Sequence, residues 1–228
     1  MTKQLTSEQI EALKAIDTST VCNAIERFGV RGSVEGFFGM DIRCLSPELG
    51  TMVGYAITVT VDSTTPGVPQ SNEAWHAWLK AMETSPKPSV LVLKDIGPEA
   101  RKSAHFGEVM GTIAKRLEVA GIVTDGGLRD IVELKQLGLR CFASGLVPAH
   151  GNPRLIEVNL PVEIDGVRIE PGDLLHGDVN GVTTIPLSIA DKVAEAAARV
   201  REEEAELLEY IKGPDFSVEG LFKHTVTH

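Results

Sequence analysis

The sequence predicts a mixed α/β fold in which a core sheet is sandwiched by helices, and three observations carry that expectation. Before Pro153, short apolar runs alternate with stretches of helical period. A hairpin-rich section follows, with turns at Asp165-Gly166, Pro171-Gly172-Asp173 and Asn180-Gly181. A last long helical pattern then runs from Ser188 to Gly213. With 228 residues, 43% of them hydrophobic, the chain can bury one good core, and a single domain over residues 1–228 is expected.

Charge and composition narrow the partners. A formal charge of −10 and a sequence pI near 5.1 disfavour nucleic acid and anionic membrane surfaces. The opening MTKQLTSEQ has no apolar signal core and no window is long enough to span a bilayer, so a cytoplasmic protein is expected. Cys22, Cys44 and Cys141 are odd in number and widely spaced, which reads as reduced thiols, not a disulfide framework or a zinc site.

At the N-terminal end, Thr6 and Gln9 form a capping box, with Leu5 and Ile10 as a staple, and Ile10, Leu13 and Ile16 make the apolar face of a first helix. A second helix starts at Thr18 or Ser19, with Val21, Ala24, Ile25 and Phe28 on one stripe and Gly29 as its stop. Residues 32–50 read as irregular chain with short strands around Phe37, Phe38 and Ile42. Tyr55 to Val61 alternates as a half-buried strand ending at Asp62, before the Pro-rich turn Ser63 to Pro69. Asn72 caps a helix with Trp75, Trp78, Leu79 and Met82 on one face, a stripe that reads as core or subunit interface, with His76 off it and solvated.

Val90 to Leu93 is a continuous apolar strand typical of a sheet covered on both faces. It exits at Lys94-Asp95, where Asp95 reads as the cap of the next turn. Leu139 to Ala143 is another short strand turned by Ser144-Gly145, and strands Glu157 to Leu160, Val162 to Ile164, Val167 to Ile169 and Val182 to Ile185 follow. His176 and Asp178 invite a metal reading but fit a polar hairpin turn better. Ser188 and Asp191 cap the last helix, whose Glu202-Glu203-Glu204 run is solvated, and Asp215 to His228 carries no readable pattern.

The stretch GEVMGTIAKRLEVAGIVTDGGLRD, Gly107 to Asp130, carries the chemistry. Val109, Ile113 and Leu117, widened by Met110 and Ala114, form a helix of about three turns that Gly121 breaks. Ile122 to Thr124 is then a short buried strand stopped by Asp125, Gly126 and Gly127. The unit brings the helix start at Gly107 and Glu108 near Arg129 and Asp130. Unpaired N–H groups of Glu108, Val109 and Met110 can hold a small carboxylate. Arg129 offers a planar fork to a carboxylate or enolate oxygen, and Asp130 is a hard oxygen ligand for a divalent cation. The competing reading is structural: Asp130 caps the helix of Ile131, Leu134 and Leu137, closed by Gly138.

Gly107-Glu108, twenty intervening residues and Arg129-Asp130 resemble the signature of the 4-hydroxy-4-methyl-2-oxoglutarate aldolase and regulator-of-ribonuclease-activity-A family. STVCNAIERFG, GLRCFASGLVP and PGDLLHGDVNGVTTIP fall in that family's order, so the similarity covers roughly residues 17 to 200. It implies a β/β/α swivelling-domain sandwich with a central mixed sheet, flanking helices and a C-terminal helix. It also implies a homo-oligomer, a trimer or a pair of trimers, with sites at subunit contacts. The activity implied is a lyase, dependent on a divalent cation (Mg2+ or Mn2+), that cleaves a 4-hydroxy-2-oxo acid to pyruvate through an enolate, with oxaloacetate decarboxylation at the same site.

In that scheme Asp130 is the metal ligand. Arg129 binds the keto acid and stabilises the enolate, and Glu108 handles protons. Gly107, Val109 and Met110 hold the substrate carboxylate. The family also contains regulators that bind a ribonuclease or helicase complex, and the altered Ser63 to Asn72 segment leaves open a divergent carbonyl substrate. No glycine-rich nucleotide loop follows the first strand, which excludes a methyltransferase.

Overall fold

A computed structural model describes residues 4–222. The chain begins with α1 (Ser7–Lys14) and α2 (Thr18–Glu26), then β1 (Arg43–Cys44), β2 (Met52–Asp62) and α3 (Asn72–Thr84). The middle carries β3 (Ser89–Asp95), β4 (Ala104–Phe106), α4 (Glu108–Arg116), β5 (Val119–Leu128), α5 (Ile131–Gln136) and β6 (Arg140–Leu146). Strands β7 (Arg154–Val158), β8 (Val162–Ile164), β9 (Val167–Ile169), β10 (Leu174–Asp178) and β11 (Gly181–Ile185) precede α6 (Val193–Lys212) and α7 (Val218–Leu221).

One nine-stranded mixed sheet organises these elements, in the order β1-β6-β5-β3-β2-β10-β11, with β4 beside β5 and β7 beside β2. Strands β2, β3, β5 and β6 run parallel, while β1, β7, β10 and β11 are antiparallel to their neighbours. The separate β8–β9 hairpin lies over one face, where Val162, Ile164 and Ile169 pack on Ala56, Val90, Val92 and Phe142. On the other face α3, α4 and α5 bury Trp78, Met82, Ala114 and Leu134 against Ile57, Leu91, Leu93 and Ile122. Hairpin, sheet and helices thus make the β/β/α layering, and α6 closes on α1 and α2 around Val21, Ile25, Val193 and Ala197.

Several local expectations hold. Thr6 and Gln9 form the capping box, and Asp17 starts α2 through the Thr20 N–H. Others are corrected. The β2 strand is covered on both faces, because the hairpin packs on the side where its threonines point, so Thr58 is buried with no partner for its hydroxyl. Ser71, not Asn72, caps α3. The Ser188–Asp191 cap is absent; α6 starts at Val193 after a turn in which Ile189 and Ala190 are buried. Strand β6 runs through Ser144 and Gly145 to Leu146. Ser217 caps the short α7 within the tail that showed no pattern, and the tail's last residues, from 223 onward, lie outside the described residues.

The central unit is also redrawn. Helix α4 stops at Arg116 through left-handed Glu118, before Gly121, which lies inside β5. Strand β5 continues through Asp125, Gly126 and Gly127 to Leu128 across a register irregularity, since β4 supplies a new pairing partner there.

Candidate active site

Parallel pairing of β4 with β5, Ala104 opposite Gly127 and Phe106 opposite Leu128, is what joins the two halves of the motif. Both strands end together, so Gly107 and Glu108 leave one while Arg129 and Asp130 leave the other. The Arg129 N–H donates to Phe106 O at 3.3 Å and fixes the junction.

Asp130 has a left-handed backbone (φ 53°) at the start of α5, yet its carboxylate does not cap that helix. Its Oδ2 instead accepts the Glu108 N–H at 2.9 Å and lies 3.5 Å from Arg129 Nε. Asp130 is therefore a long-range cap of α4, and the reading in which it caps its own first turn is excluded. The Glu108 amide is accordingly spoken for. The N–H groups of Val109 and Met110 have no partner among the described residues, leaving two amides at the positive end of α4. Gly107 lets this happen: a Cβ there would sit 2.5 Å from Asp130 Oδ2 and 2.9 Å from Arg129 Nε.

A cleft of about 300 Å³ opens beside the motif. The motif lines it with Gly107, Val109, Met110 and Arg129, while Glu108 and Asp130 are not among its lining residues. Val109 is 72% exposed, so it serves the cleft and not the core face assigned to it from helical spacing; Met110, Ile113 and Leu117 do pack on the core. The cleft's other residues are Gln70, Trp75, Ala104, His105, His150 and Pro153.

Trp75 stacks edge-on against the buried Trp78, so the tryptophan pair divides its work between cleft and core. Gln70 accepts the Leu155 N–H at 2.8 Å and ties the Pro-rich loop to β7. Gln70, His150 and Pro153 had no sequence signal, because only the β2–β7 pairing brings their loops here. Burial pushes the His105 imidazole down to about 4, so it is neutral at physiological pH, with Nδ1 3.4 Å from Ser63 Oγ.

At the end of β3, Lys94 pairs with Asp125 at 2.5 Å, and the same carboxylate accepts the Asp95 N–H at 2.9 Å. An ion-paired lysine is a poor Schiff-base nucleophile. Asp95 accepts the Gly97 N–H and so caps the turn as expected, while burial raises its carboxyl pKa. For Asp62, burial opposes ionisation, but hydrogen bonds from Thr65, Thr64 and Arg154 outweigh it and hold the carboxyl well below the usual range.

His176 and Asp178 are structural, and Asp178 closes the β10–β11 hairpin turn as expected, accepting the Asn180 N–H at 2.8 Å. His176 lies buried within β10, with Nδ1 3.0 Å from Thr18 Oγ1 and Nε2 3.0 Å from Leu13 O, and Asp178 accepts the Thr18 N–H. The three cysteines are free, and burial raises the pKa of each, Cys141 up to about 12.

No cluster of three or more His, Cys, Asp or Glu side chains suited to a metal occurs among the described residues. The donor set at the motif is one half-exposed carboxylate whose Oδ1 takes no hydrogen bond among those residues. A single hard oxygen with solvent access fits a cation such as Mg2+, which keeps several waters and takes one or two carboxylates.

Residues 18–184 match the RraA-like family, described as Aldolase/RraA. The chain belongs to the RraA-like family. An uncharacterized protein of Methanocaldococcus jannaschii is 32% identical over 164 residues, 71% of this chain and 74% of that one. A putative 4-hydroxy-4-methyl-2-oxoglutarate aldolase of Halalkalibacterium halodurans is 36% identical over 124 residues, 54% of this chain. The alignment spans 58% of that relative's length. Among solved structures, Streptomyces coelicolor RraAS2, titled an unusual member of the RNase ES inhibitor RraA protein family, superposes with a TM-score of 0.68. At 24% identity, covering 90% of this chain and 97% of that one, it shows the shared RraA-like fold. No helix among the described residues is long and apolar enough to cross a membrane.

Proposed function

We propose that this RraA-like protein is a divalent-metal-dependent lyase that cleaves the C3–C4 bond of a 4-hydroxy-2-oxo acid to give pyruvate. In this reading it also decarboxylates oxaloacetate. The observation that carries the proposal is the Asp130 carboxylate reaching across to the Glu108 N–H beside Arg129, with the Val109 and Met110 amides left unpaired. The relatives named putative 4-hydroxy-4-methyl-2-oxoglutarate aldolase support the substrate class.

Asp130, through its open oxygen, would hold Mg2+ or Mn2+, which supplies Lewis acidity toward the 2-oxo group when bound. The substrate C1 carboxylate sits on the Val109 and Met110 N–H groups, where the helix field favours an anion. Arg129 donates its fork to the 2-oxo oxygen. As the C4 hydroxyl gives up its proton to Glu108 and becomes a carbonyl, the C3–C4 electron pair moves into C2–C3 and negative charge collects on that oxygen. Glu108 returns a proton to C3, and pyruvate results. Loss of carbon dioxide from C4 of oxaloacetate leaves the same enolate, which is why one site serves both reactions. The reading includes a homo-oligomer, trimer or hexamer, in the cytoplasm.

A coupled assay for pyruvate release from a panel of 4-hydroxy-2-oxo acids and oxaloacetate, with and without chelator, tests the proposal. Chelator-sensitive release is expected. A protein that releases pyruvate from none of them would point instead to a binding role like that of the RNase-inhibitor branch.

A further inference from the structure

Resting on the lyase reading, we infer that the substrate is a 2-oxo-3-deoxy sugar acid, whose chain beyond C4 carries hydroxyl groups that donate hydrogen bonds to the imidazoles of His105 and His150. Acceptors on the cleft wall are the first reason. The polar side chains lining the cleft are Gln70, Trp75, His105, Arg129 and His150. Arg129 and the Trp75 indole only donate, while Gln70 has its oxygen on the Leu155 N–H and its amide on Ser71 O at 2.7 Å. The side-chain acceptors not already engaged are the two imidazoles.

The tautomer of each ring is set from behind. His150 Nδ1 lies 2.8 Å from Gly151 O, and a carbonyl only accepts, so Nδ1 carries the hydrogen and the neutral ring presents a bare Nε2. His105 is built deeper. Its Nδ1 is 3.4 Å from Ser63 Oγ, and the Ser63 hydroxyl is in turn hydrogen-bonded to the Asp95 carboxylate, so the hydrogen between ring and Ser63 comes from Nδ1. Burial keeps this ring neutral, and its Nε2 therefore also holds a lone pair. That atom takes no hydrogen bond among the described residues and is not sealed from solvent, so it opens into the cleft. Ser63 and Gln70 both belong to the altered Ser63 to Asn72 segment, which gives that departure from the family a consequence for the substrate.

Trp75 is the second reason. Its partly buried ring, held edge-on to Trp78 at 5.6 Å, offers a flat apolar face to the C–H side of a chain whose hydroxyls point at the imidazoles. At about 300 Å³ the cleft is at the small end of ligand sites, which suits a six-carbon acid. Cleavage of such an acid between C3 and C4 turns C4 and its hydroxyl into the aldehyde of glyceraldehyde and leaves C1 to C3 as pyruvate. Oxaloacetate ends at C4 and makes no demand on the imidazoles, so its decarboxylation is compatible with this preference.

The test separates selectivity from catalysis by using acids reduced at C2, which have no carbonyl to take up the electron pair and so cannot be cleaved. 2,4,5,6-Tetrahydroxyhexanoate and 2,4-dihydroxyhexanoate differ only in the hydroxyls on C5 and C6. Isothermal titration of the intact protein, in the assembly it forms and saturated with Mg2+, is expected to show the tetrahydroxy acid bound at least about tenfold more tightly. His150→Phe keeps a ring at an exposed position and removes the acceptor, so it should bring the two acids within about threefold of each other. His105→Phe, which keeps a ring edge toward Trp78, should narrow the same ratio.

Equal or tighter binding of 2,4-dihydroxyhexanoate by the wild type overturns the inference, as does an absence of saturable binding of either acid, or a preference that His150→Phe leaves at the wild-type ratio. If the tetrahydroxy acid is preferred while no 4-hydroxy-2-oxo acid releases pyruvate, the cleft's selectivity stands and the lyase reading falls. If 4-hydroxy-2-oxohexanoate is cleaved with a kcat/KM at or above that of 4,5,6-trihydroxy-2-oxohexanoate, the lyase reading stands and the selectivity falls.

Discussion

Replacing Gly107 with alanine should disable the site while leaving the fold in place. The Gly107 backbone is extended (φ −151°), which alanine adopts freely, so the cost falls on its neighbours. The new Cβ would lie 2.5 Å from Asp130 Oδ2, 2.9 Å from Arg129 Nε and 3.0 Å from Arg129 Cγ. Restoring ordinary contact requires the carboxylate oxygen to retreat by about 1 Å, which breaks its 2.9 Å bond to the Glu108 N–H. Losing that charge-assisted bond at a half-exposed site should cost about 1–2 kcal/mol of stability. A displacement of about 1 Å in both Arg129 and Asp130 should lower kcat/KM about a hundredfold. Urea unfolding and steady-state pyruvate release read the two effects separately. Activity within about threefold of wild type would refute the reasoning, as would a loss no larger than the unfolded fraction explains.

Gly111→Ala is the companion on the same helix: its Cβ would meet Leu134 Cδ2 at 2.4 Å, so it should cost about 1–3 kcal/mol in urea unfolding while the folded fraction turns over more normally than Gly107→Ala. Arg129→Lys keeps the charge and loses the fork, so kcat should fall, and a rise in KM alone would reduce Arg129 to ground-state binding. Glu108→Gln should reduce pyruvate release and methyl-proton exchange together by about a hundredfold with metal affinity unchanged; wild-type exchange would remove Glu108 from the mechanism. His105 gives a pH signature: its pKa falls from 6.5 to about 4 on folding, so the neutral ring's stability is complete above pH 6.5 and drains as pH drops toward 4. Urea unfolding at pH 7.5 and 5 should show that His105→Gln removes about 1–2 kcal/mol of the decline, and an unchanged decline would refute it.

The elements were largely legible in the sequence because local signals and tertiary packing agree in them. Thr6 and Gln9 cap α1 by contacts three residues apart, and the apolar run Val90 to Leu93 is covered on both faces of the sheet as its composition requires. The errors share a physical source. Asp125-Gly126-Gly127 looks like a strand stop locally, but β4 pairs with β5 beyond it, and that pairing depends on residues about twenty positions away. Val109 has helical spacing for the core, yet it sits at the helix start beside the cleft, where α5 does not cover it. The Arg129-Asp130 pair could be picked out, but not Asp130's choice of partner: Asp enters the left-handed region more readily than most residues, yet nothing local says that Asp130 does so and turns its carboxylate away from α5 and toward α4. The loops bearing Gln70, His150 and Pro153 were unreadable for the same reason as β4, since long-range strand pairing places them.

Exchange of pyruvate methyl protons with deuterated water, followed by NMR, tests the central claim most directly because it needs no knowledge of the physiological substrate. Wild-type protein with Mg2+ or Mn2+ should exchange the methyl protons well above the buffer rate, chelator should abolish the exchange, and Asp130→Ala should not restore it at any metal concentration. Exchange that survives chelation, or that Asp130→Ala carries out at the wild-type rate, would contradict the assignment of enolate chemistry to this site.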